Sequence, residues 1–202
     1  MENKKTTPKI AIILLNYNNY EDTFACVESL QRVRYPNVNI IIVDNKSTND
    51  SLEKLYELKS ENIKIVDSGK NGGFAFGNNI GMEIAREENS DYVLLLNNDT
   101  IVTENFLDEL LKCFSYEKDV GIATGRIMYN SEKDKVWYAG GKIDWNNLRA
   151  IHRGINGTVY STKGMENVGF ASGCCMMISK ECLRKVGGLP EDYFMYYEDL
   201  DY

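Results

Sequence analysis

Three carboxylates stand together near the end of the chain, in Glu198-Asp199-Leu200-Asp201, directly after the aromatic run Tyr193-Phe194-Met195-Tyr196-Tyr197. Such rings can bound a sugar or exclude water, and a carboxylate among them can serve as a general base. The competing reading is an acidic helix start that complements the helix dipole. A second group lies at the ends of apolar runs: Asn16-Tyr17-Asn18-Asn19, Asp44-Asn45, Asp67-Ser68 and Asn97-Asn98-Asp99. Short polar residues make turns and helix caps at any one of these places. Four together deliver carboxylates and amides to one edge. An edge of this kind, poor in cations, suits a metal-bound ligand or a hydrogen-bonded base and ribose, with Asn16, Asp44 and Asn98 among the groups to hold the latter. Asp99 is a hard-oxygen candidate for Mg²⁺ or Mn²⁺, which take few protein carboxylates and share substrate phosphates.

Other chemistries fall away. Gly72-Gly73-Phe74-Ala75-Phe76-Gly77 has the glycine spacing of a phosphate-binding P-loop, but Asn78-Asn79 stand where that loop needs Lys and Ser or Thr. No GxGxxG dinucleotide fingerprint follows the first apolar run. A single histidine, His152, and five cysteines without CxxC spacing make a zinc site a poor fit. Cys174 and Cys175 read as small buried hydrophobes, and His152 reads as a surface or hairpin residue. Lys and Arg total 23 against 30 Asp and Glu, a net charge of −7, which argues against a nucleic-acid partner and limits membrane association to a peripheral one. No stretch reaches the roughly 18 apolar residues of a spanning helix. The odd cysteine count and the lack of a signal-peptide pattern point to the cytoplasm, with the inner face of the cell membrane as a further site.

Elements must bring these residues together. With 43% hydrophobic and 26% charged residues, the chain can bury a sizeable core. Apolar runs at Ile10–Leu15, Ile40–Val43, Ile63–Val66, Tyr92–Leu96 and Val120–Thr124 lack polar alternation, as strands covered on both faces do. Helical spacing fills the gaps: Phe24, Val27, Leu30; then Leu52, Leu55, Tyr56; then Gly77, Ile80, Gly81, Ile84, Ala85; then Phe106, Leu107, Leu110, Leu111, Phe114. Strand–helix alternation of this kind predicts an α/β layered, mostly parallel sheet flanked by helices. Ligands bind at the carboxyl ends of such strands, where the polar residues fall. After Gly125 the texture changes to turns and scattered aromatics, which predicts hairpins over 126–165. A strand over Val168–Ile178 and a helix from Ser179 to Val186 follow. One domain, 1–202, is expected.

In register along almost the whole chain, ILLNYNNYEDTFACVESL, IIIVDNKSTNDS, NGGFAFGNNIGMEIA, VLLLNNDTIV, WYAGGKID, FASGCCMMISKECLRKVGGL and DYFMYYEDLD resemble the inverting family 2 glycosyltransferases of the GT-A fold. The resemblance is particularly to their bacterial rhamnosyltransferase-like branch. The resemblance implies a nucleoside-diphosphate sugar donor, dTDP- or UDP-linked, bound by residues 1–125, and an acceptor-side half over 126–202. It implies a saccharide or lipid-linked saccharide acceptor, and a role in bacterial cell-surface polysaccharide synthesis. By the same resemblance, Asp44 contacts the base or ribose, Asn71, Gly73 and Asn78 line the nucleoside side, Asp99 holds a divalent metal on the diphosphate, and Asp199 is the catalytic base. Two departures stand out. Asn97 replaces the first Asp of the family's metal motif, and members continue beyond the Glu-Asp pair where this chain stops three residues after Asp199. The expectation is a C-terminally truncated chain that is itself inactive. A nucleotide-binding module without catalysis is the alternative. A sugar-phosphate nucleotidyltransferase, which wants a basic glycine-rich loop near the N-terminus, fits less well.

Overall fold

The computed structural model describes residues 7–158 and 164–202. Its elements are β1 (Ile10–Asn16), α1 (Tyr20–Gln31), β2 (Val38–Asp44), α2 (Ser51–Leu55), β3 (Ile63–Asp67), α3 (Gly73–Glu87), β4 (Tyr92–Asn97) and α4 (Phe106–Tyr116). They continue as β5 (Ile122–Thr124), β6 (Ile127–Met128), β7 (Val136–Tyr138), β8 (Gly141–Asp144), β9 (Arg149–His152), β10 (Cys175–Ser179), α5 (Lys180–Val186) and α6 (Glu198–Asp201). A six-stranded sheet runs β3-β2-β1-β4-β10-β5. The pairs β2–β3, β1–β2 and β1–β4 are parallel; β10 is antiparallel to both of its neighbours.

The apolar runs lack alternation because each face of the sheet has its own core. Ile10, Ile12 and Leu14 of β1, Ile40 and Ile42 of β2, and Leu94 and Leu96 of β4 pack with Val27, Leu30 and Leu107 from α1 and α4. Ala11, Ile13, Ile41, Val43, Val93 and Leu95 point the other way, onto Ala75, Met82 and Ala85 of α3. This is the period of two expected of pleated strands, with both phases apolar. The small residues of α3 let it sit close to β1: a Cβ at Gly81 would come within 2.6 Å of Ile13 Cγ2. Gly81→Ala is therefore expected to cost about 1–3 kcal/mol by overpacking, offset by up to about 1 kcal/mol of helix propensity. A lower urea midpoint at unchanged m is the readout; a midpoint at or above wild type would show that the helix has room.

Two expectations need correction. Of the predicted Val168–Ile178 strand only the part from Cys175 on is a strand, and it runs to Ser179. Upstream, the backbone pairs with the excursion instead: Gly169 N–H donates to Gly141 O (2.7 Å) and Tyr138 Oη donates to Phe170 O (2.6 Å). The fifth strand shrinks to Ile122–Thr124 and lies at the sheet edge, because β10 inserts between it and β4. The predicted hairpins appear as the antiparallel pairs β6–β7 and β8–β9. Among the described residues no helix is long and apolar enough to cross a membrane.

At the other end of the sheet, Glu88 closes α3 and accepts from Lys9, Asn39 and Lys64, tying the starts of β1, β2 and β3 together. Lys64 above all holds its carboxyl down from 4.5 to about 2. A carboxyl lowered on folding stabilises above its unfolded value and loses that contribution as pH falls through the folded one. Wild type should thus exceed Glu88→Gln in Tm at neutral pH, with the gap closing between about pH 4.5 and 2. A gap that does not vary with pH would contradict this.

Candidate active site

The register places the strand ends at one level: Asn16 pairs with Asp44, Asp44 with Asp67, and Leu15 with Asn97. The polar residues that close these strands do meet at one edge. Asn16 has no accessible surface; its Oδ1 accepts from Thr23 Oγ1 (2.9 Å), and its Nδ2 donates to Ser47 Oγ (3.2 Å). Asn98 Nδ2 donates to the same Thr23 hydroxyl (2.8 Å), which ties the end of β4 to α1. Asp44 is also fully buried, and both its oxygens accept the Ser47 N–H at 3.1 Å. Asn16 and Asp44 therefore hold the loop after β2 from beneath.

The next connection was not singled out from sequence. Asn45 Nδ2 donates to Asn71 Oδ1 (3.0 Å) and Gly73 O (3.1 Å), clamping the glycine-rich loop to the end of β2. An amide directly after a buried strand, next to Asp44, was the available signal. Asn71 Oδ1 also accepts from Gly73 N (3.2 Å). Gly73 opens α3 at φ +88°, and a Cβ there would lie 2.0 Å from Phe194 O, which accepts the Phe74 N–H at 2.9 Å. The glycine is required by backbone contact with the aromatic run, so Gly73→Ala is expected to release that run, detectable as a gain in proteolytic cleavage near Phe194. Unchanged cleavage would argue against the contact. Asn78 lies within α3, 2% exposed, with its Nδ2 on Phe74 O (3.0 Å); it braces the first turn of the helix.

Asp99 stands exposed at the tip of a turn, Asn97–Thr100, closed by Thr100 N–H and Oγ1 on Asn97 O (3.2 and 2.7 Å). Its charge adds to the upward shift of the Cys174 thiol, which burial pushes to about 12, so this cysteine stays protonated and is no nucleophile. Asn97 N–H donates to Cys174 O (3.0 Å), and the adjacent Gly173 N–H donates to Asp199 Oδ2 (2.9 Å). The Gly173-Cys174 dipeptide thus bonds Asp199 on one side and the start of the turn that bears Asp99 on the other.

Tyr196 and Tyr197, both at φ +72°, redirect the chain into α6. This left-handed backbone is rare for bulky residues and costs on the order of 1–3 kcal/mol each, a strain found preferentially at functional sites. The turn sends Glu198 inward and leaves Asp199 half-buried. Glu198 is 5% exposed, its Oε2 has no partner, and burial, then the neighbouring Asp199, pushes its carboxyl upward. Glu198 and Asp199 line a cleft of about 310 Å³ with Ala150, His152, Phe170, Tyr196, Tyr197 and Leu200.

Residues 11–187 match the profile of glycosyl transferase family 2. The chain belongs to that family. It is 30% identical over 198 residues to the low-salt glycan biosynthesis hexosyltransferase Agl10 of Haloferax volcanii, covering 96% of this chain and 60% of that protein. It is 25% identical over 173 residues to the dTDP-rhamnosyl transferase RfbF of Shigella flexneri, covering 86% of this chain and 55% of that one. The chain thus spans somewhat more than half the length of these two relatives. Among solved structures, the mannosyltransferase PcManGT of Pyrobaculum calidifontis, in complex with GDP-Man and Mn²⁺, superposes with a TM-score of 0.63 at 15% identity, covering 93% of this chain and 49% of that one. S. aureus TarS residues 1–349 in complex with UDP gives 0.64 at 17% identity, covering 95% and 53%. The fold of this family 2 chain is GT-A.

Within that fold, the donor set for a divalent cation is spare. No three His, Cys, Asp or Glu side chains cluster among the described residues. One exposed carboxylate, Asp99, beside two amides fits a hard ion that brings most of its ligands with it as water and phosphate oxygens. It does not fit a preformed all-protein cage.

Proposed function

We infer that this family 2 protein is an inverting glycosyltransferase that moves a hexose or rhamnose from a nucleoside-diphosphate donor to a hydroxyl of a saccharide or lipid-linked saccharide, in the cytoplasm or at the inner face of the membrane, for bacterial cell-surface polysaccharide. The observation that carries the reading is the Gly173-Cys174 dipeptide, where Gly173 N–H bonds Asp199 and Cys174 O accepts from Asn97, the residue that opens the turn bearing Asp99. Inverting transfer needs one carboxylate to take a proton and another group to neutralise the leaving diphosphate, close together but distinct. The acceptor oxygen attacks the anomeric carbon, its proton passes to Asp199, and the bond from that carbon to the diphosphate oxygen breaks. A divalent cation, Mn²⁺ or Mg²⁺, held by Asp99 would offset charge on the departing diphosphate. The names hexosyltransferase and dTDP-rhamnosyl transferase borne by the two relatives support the sugar class.

Residues 1–125 hold the nucleotide in this reading, and 126–202 the acceptor. Asn71, Gly73 and Asn78 shape the loop beside the nucleoside, with Asn16 and Asn98 beneath it. Asp44 reaches the base or ribose when the Ser47 turn opens, since it is covered when that turn is closed. Asp44→Asn can still accept the Ser47 N–H, so it separates the charge from the fold. It is expected to weaken uridine or thymidine and their diphosphates alike, by the 1.5–3 kcal/mol or so of a charged hydrogen bond. Unchanged affinity for all four by calorimetry would leave Asp44 as a loop residue only. The enzyme reading itself is tested by nucleoside diphosphate release from dTDP-rhamnose, UDP-glucose and UDP-N-acetylglucosamine with Mn²⁺, in the full-length protein. Binding of diphosphates without any turnover would favour a non-catalytic module.

A further inference from the structure

The cleft beside Asp199 has a second wall, made by the β8–β9 hairpin. Register puts His152 opposite Gly141 and Ala150 opposite Ile143, so His152 and Ala150 share one face, and both line the cleft. His152 is a hairpin residue, as its place on the excursion suggested, and it is half-buried. Its ring stands edge-on to Trp137 (4.7 Å between centroids, 81°) and Tyr138 (5.2 Å, 85°), and it meets Phe170 at 5.9 Å. Tyr138 is fully buried and anchored by its hydroxyl on Phe170 O, so the cage around the imidazole is rigid. Neither ring nitrogen has a hydrogen-bond partner among the described residues, while the ring packs against Trp137 and Tyr138. Beneath the same cleft lies the unpartnered Glu198 Oε2. Buried polar groups are normally satisfied, and an unpartnered buried carboxyl oxygen in a cleft that His152 also lines suits that cleft to a polar ligand. Phe170, Tyr196 and Tyr197 give that ligand apolar faces to lie on. Hydroxyls on a ring with an apolar face describe a sugar.

We propose that His152 orients the acceptor: an imidazole nitrogen hydrogen-bonds one hydroxyl of the incoming saccharide and thereby sets which neighbouring hydroxyl faces Asp199. This rests on the transferase reading above and makes His152 a determinant of acceptor choice and linkage position.

The test separates the two. His152→Phe keeps an aromatic ring against Trp137 and Tyr138 but has no nitrogen; His152→Gln restores a hydrogen-bonding group without the ring. With methyl glycosides of glucose, N-acetylglucosamine and rhamnose as acceptors, His152→Phe should raise the acceptor KM about 3- to 10-fold. It should leave nucleoside diphosphate affinity unchanged and give a more mixed set of linkages, and Gln should recover part of the loss. Because this chain has one histidine, its ring C–H resonances are an independent readout in the 202-residue protein, whether or not the variants fold. They should shift saturably on titration with a methyl glycoside in the presence of Mg²⁺ and a nucleoside diphosphate. Ring resonances unmoved by every glycoside, or an unchanged KM and linkage in His152→Phe, overturns the proposal. Failure of the wild type to bind any nucleoside diphosphate overturns the transferase reading instead.

Discussion

Asp199→Asn is expected to lower transfer about 10²–10⁴-fold while donor affinity stays near wild type. The amide oxygen can still accept the Gly173 N–H, so the 2.9 Å contact that holds Asp199 in place survives the change. What disappears is the ability to take the acceptor proton. A group that acts only in the transition state registers in kcat, and kcat/KM should fall by the same factor. Glu198→Gln is the paired control. Its carboxyl is buried and pushed upward by desolvation, whereas Asp199 is half-buried and is the carboxylate that accepts the Gly173 N–H. Steady-state rates at saturating donor check both. A larger loss from Glu198→Gln than from Asp199→Asn would exchange their roles.

Asp99→Ala is expected to abolish the gain in nucleoside diphosphate affinity that Mn²⁺ or Mg²⁺ confers, and to lower transfer on the order of 100-fold, in keeping with the several kcal/mol that a bound cation supplies to a developing phosphate charge. Asp99 is the only carboxylate on the Asn97–Thr100 turn, and neither Asn97 nor Asn98 can replace its charge. The fold should not suffer, because Asp99 is exposed at a turn closed by Thr100 rather than by its own side chain. Calorimetric titration with metal and with EDTA is the measurement. Equal affinities under the two conditions in the wild type would remove the metal from the mechanism.

Much of the sheet was legible because β1, β2 and β4 are apolar in both phases, a pattern that only a strand covered on two faces sustains. The strand ends were legible for the same reason: a polar residue that stops such a run must lie at the sheet edge, as Asn16, Asp44 and Asn97 do. The antiparallel insertion of β10 was not legible, since its place between β4 and β5 depends on contacts about 50 to 90 residues apart along the chain. Residues 168–174 are apolar enough to read as strand, yet Gly169 and Phe170 use their backbone to bond the excursion, at Gly141 and Tyr138. Burial of Asp44 was hidden too, because nothing in Asp44-Asn45-Lys46-Ser47 says that the turn folds back over its own carboxylate. His152 is the sharpest case. Its cage of Trp137, Tyr138 and Phe170 joins two segments that sequence spacing gave no reason to bring together with Asp199.

The central claim is direct displacement at the anomeric carbon with one base. It is tested by following the anomeric proton of the product by NMR during transfer from a donor of known configuration, using the full-length protein, Mn²⁺-free Mg²⁺ buffer and a methyl glycoside acceptor. The proposed displacement, with Asp199 as base, predicts a first-formed product of inverted configuration, absent in Asp199→Asn. A product that retains the donor's configuration, or one formed undiminished by Asp199→Asn, would contradict it.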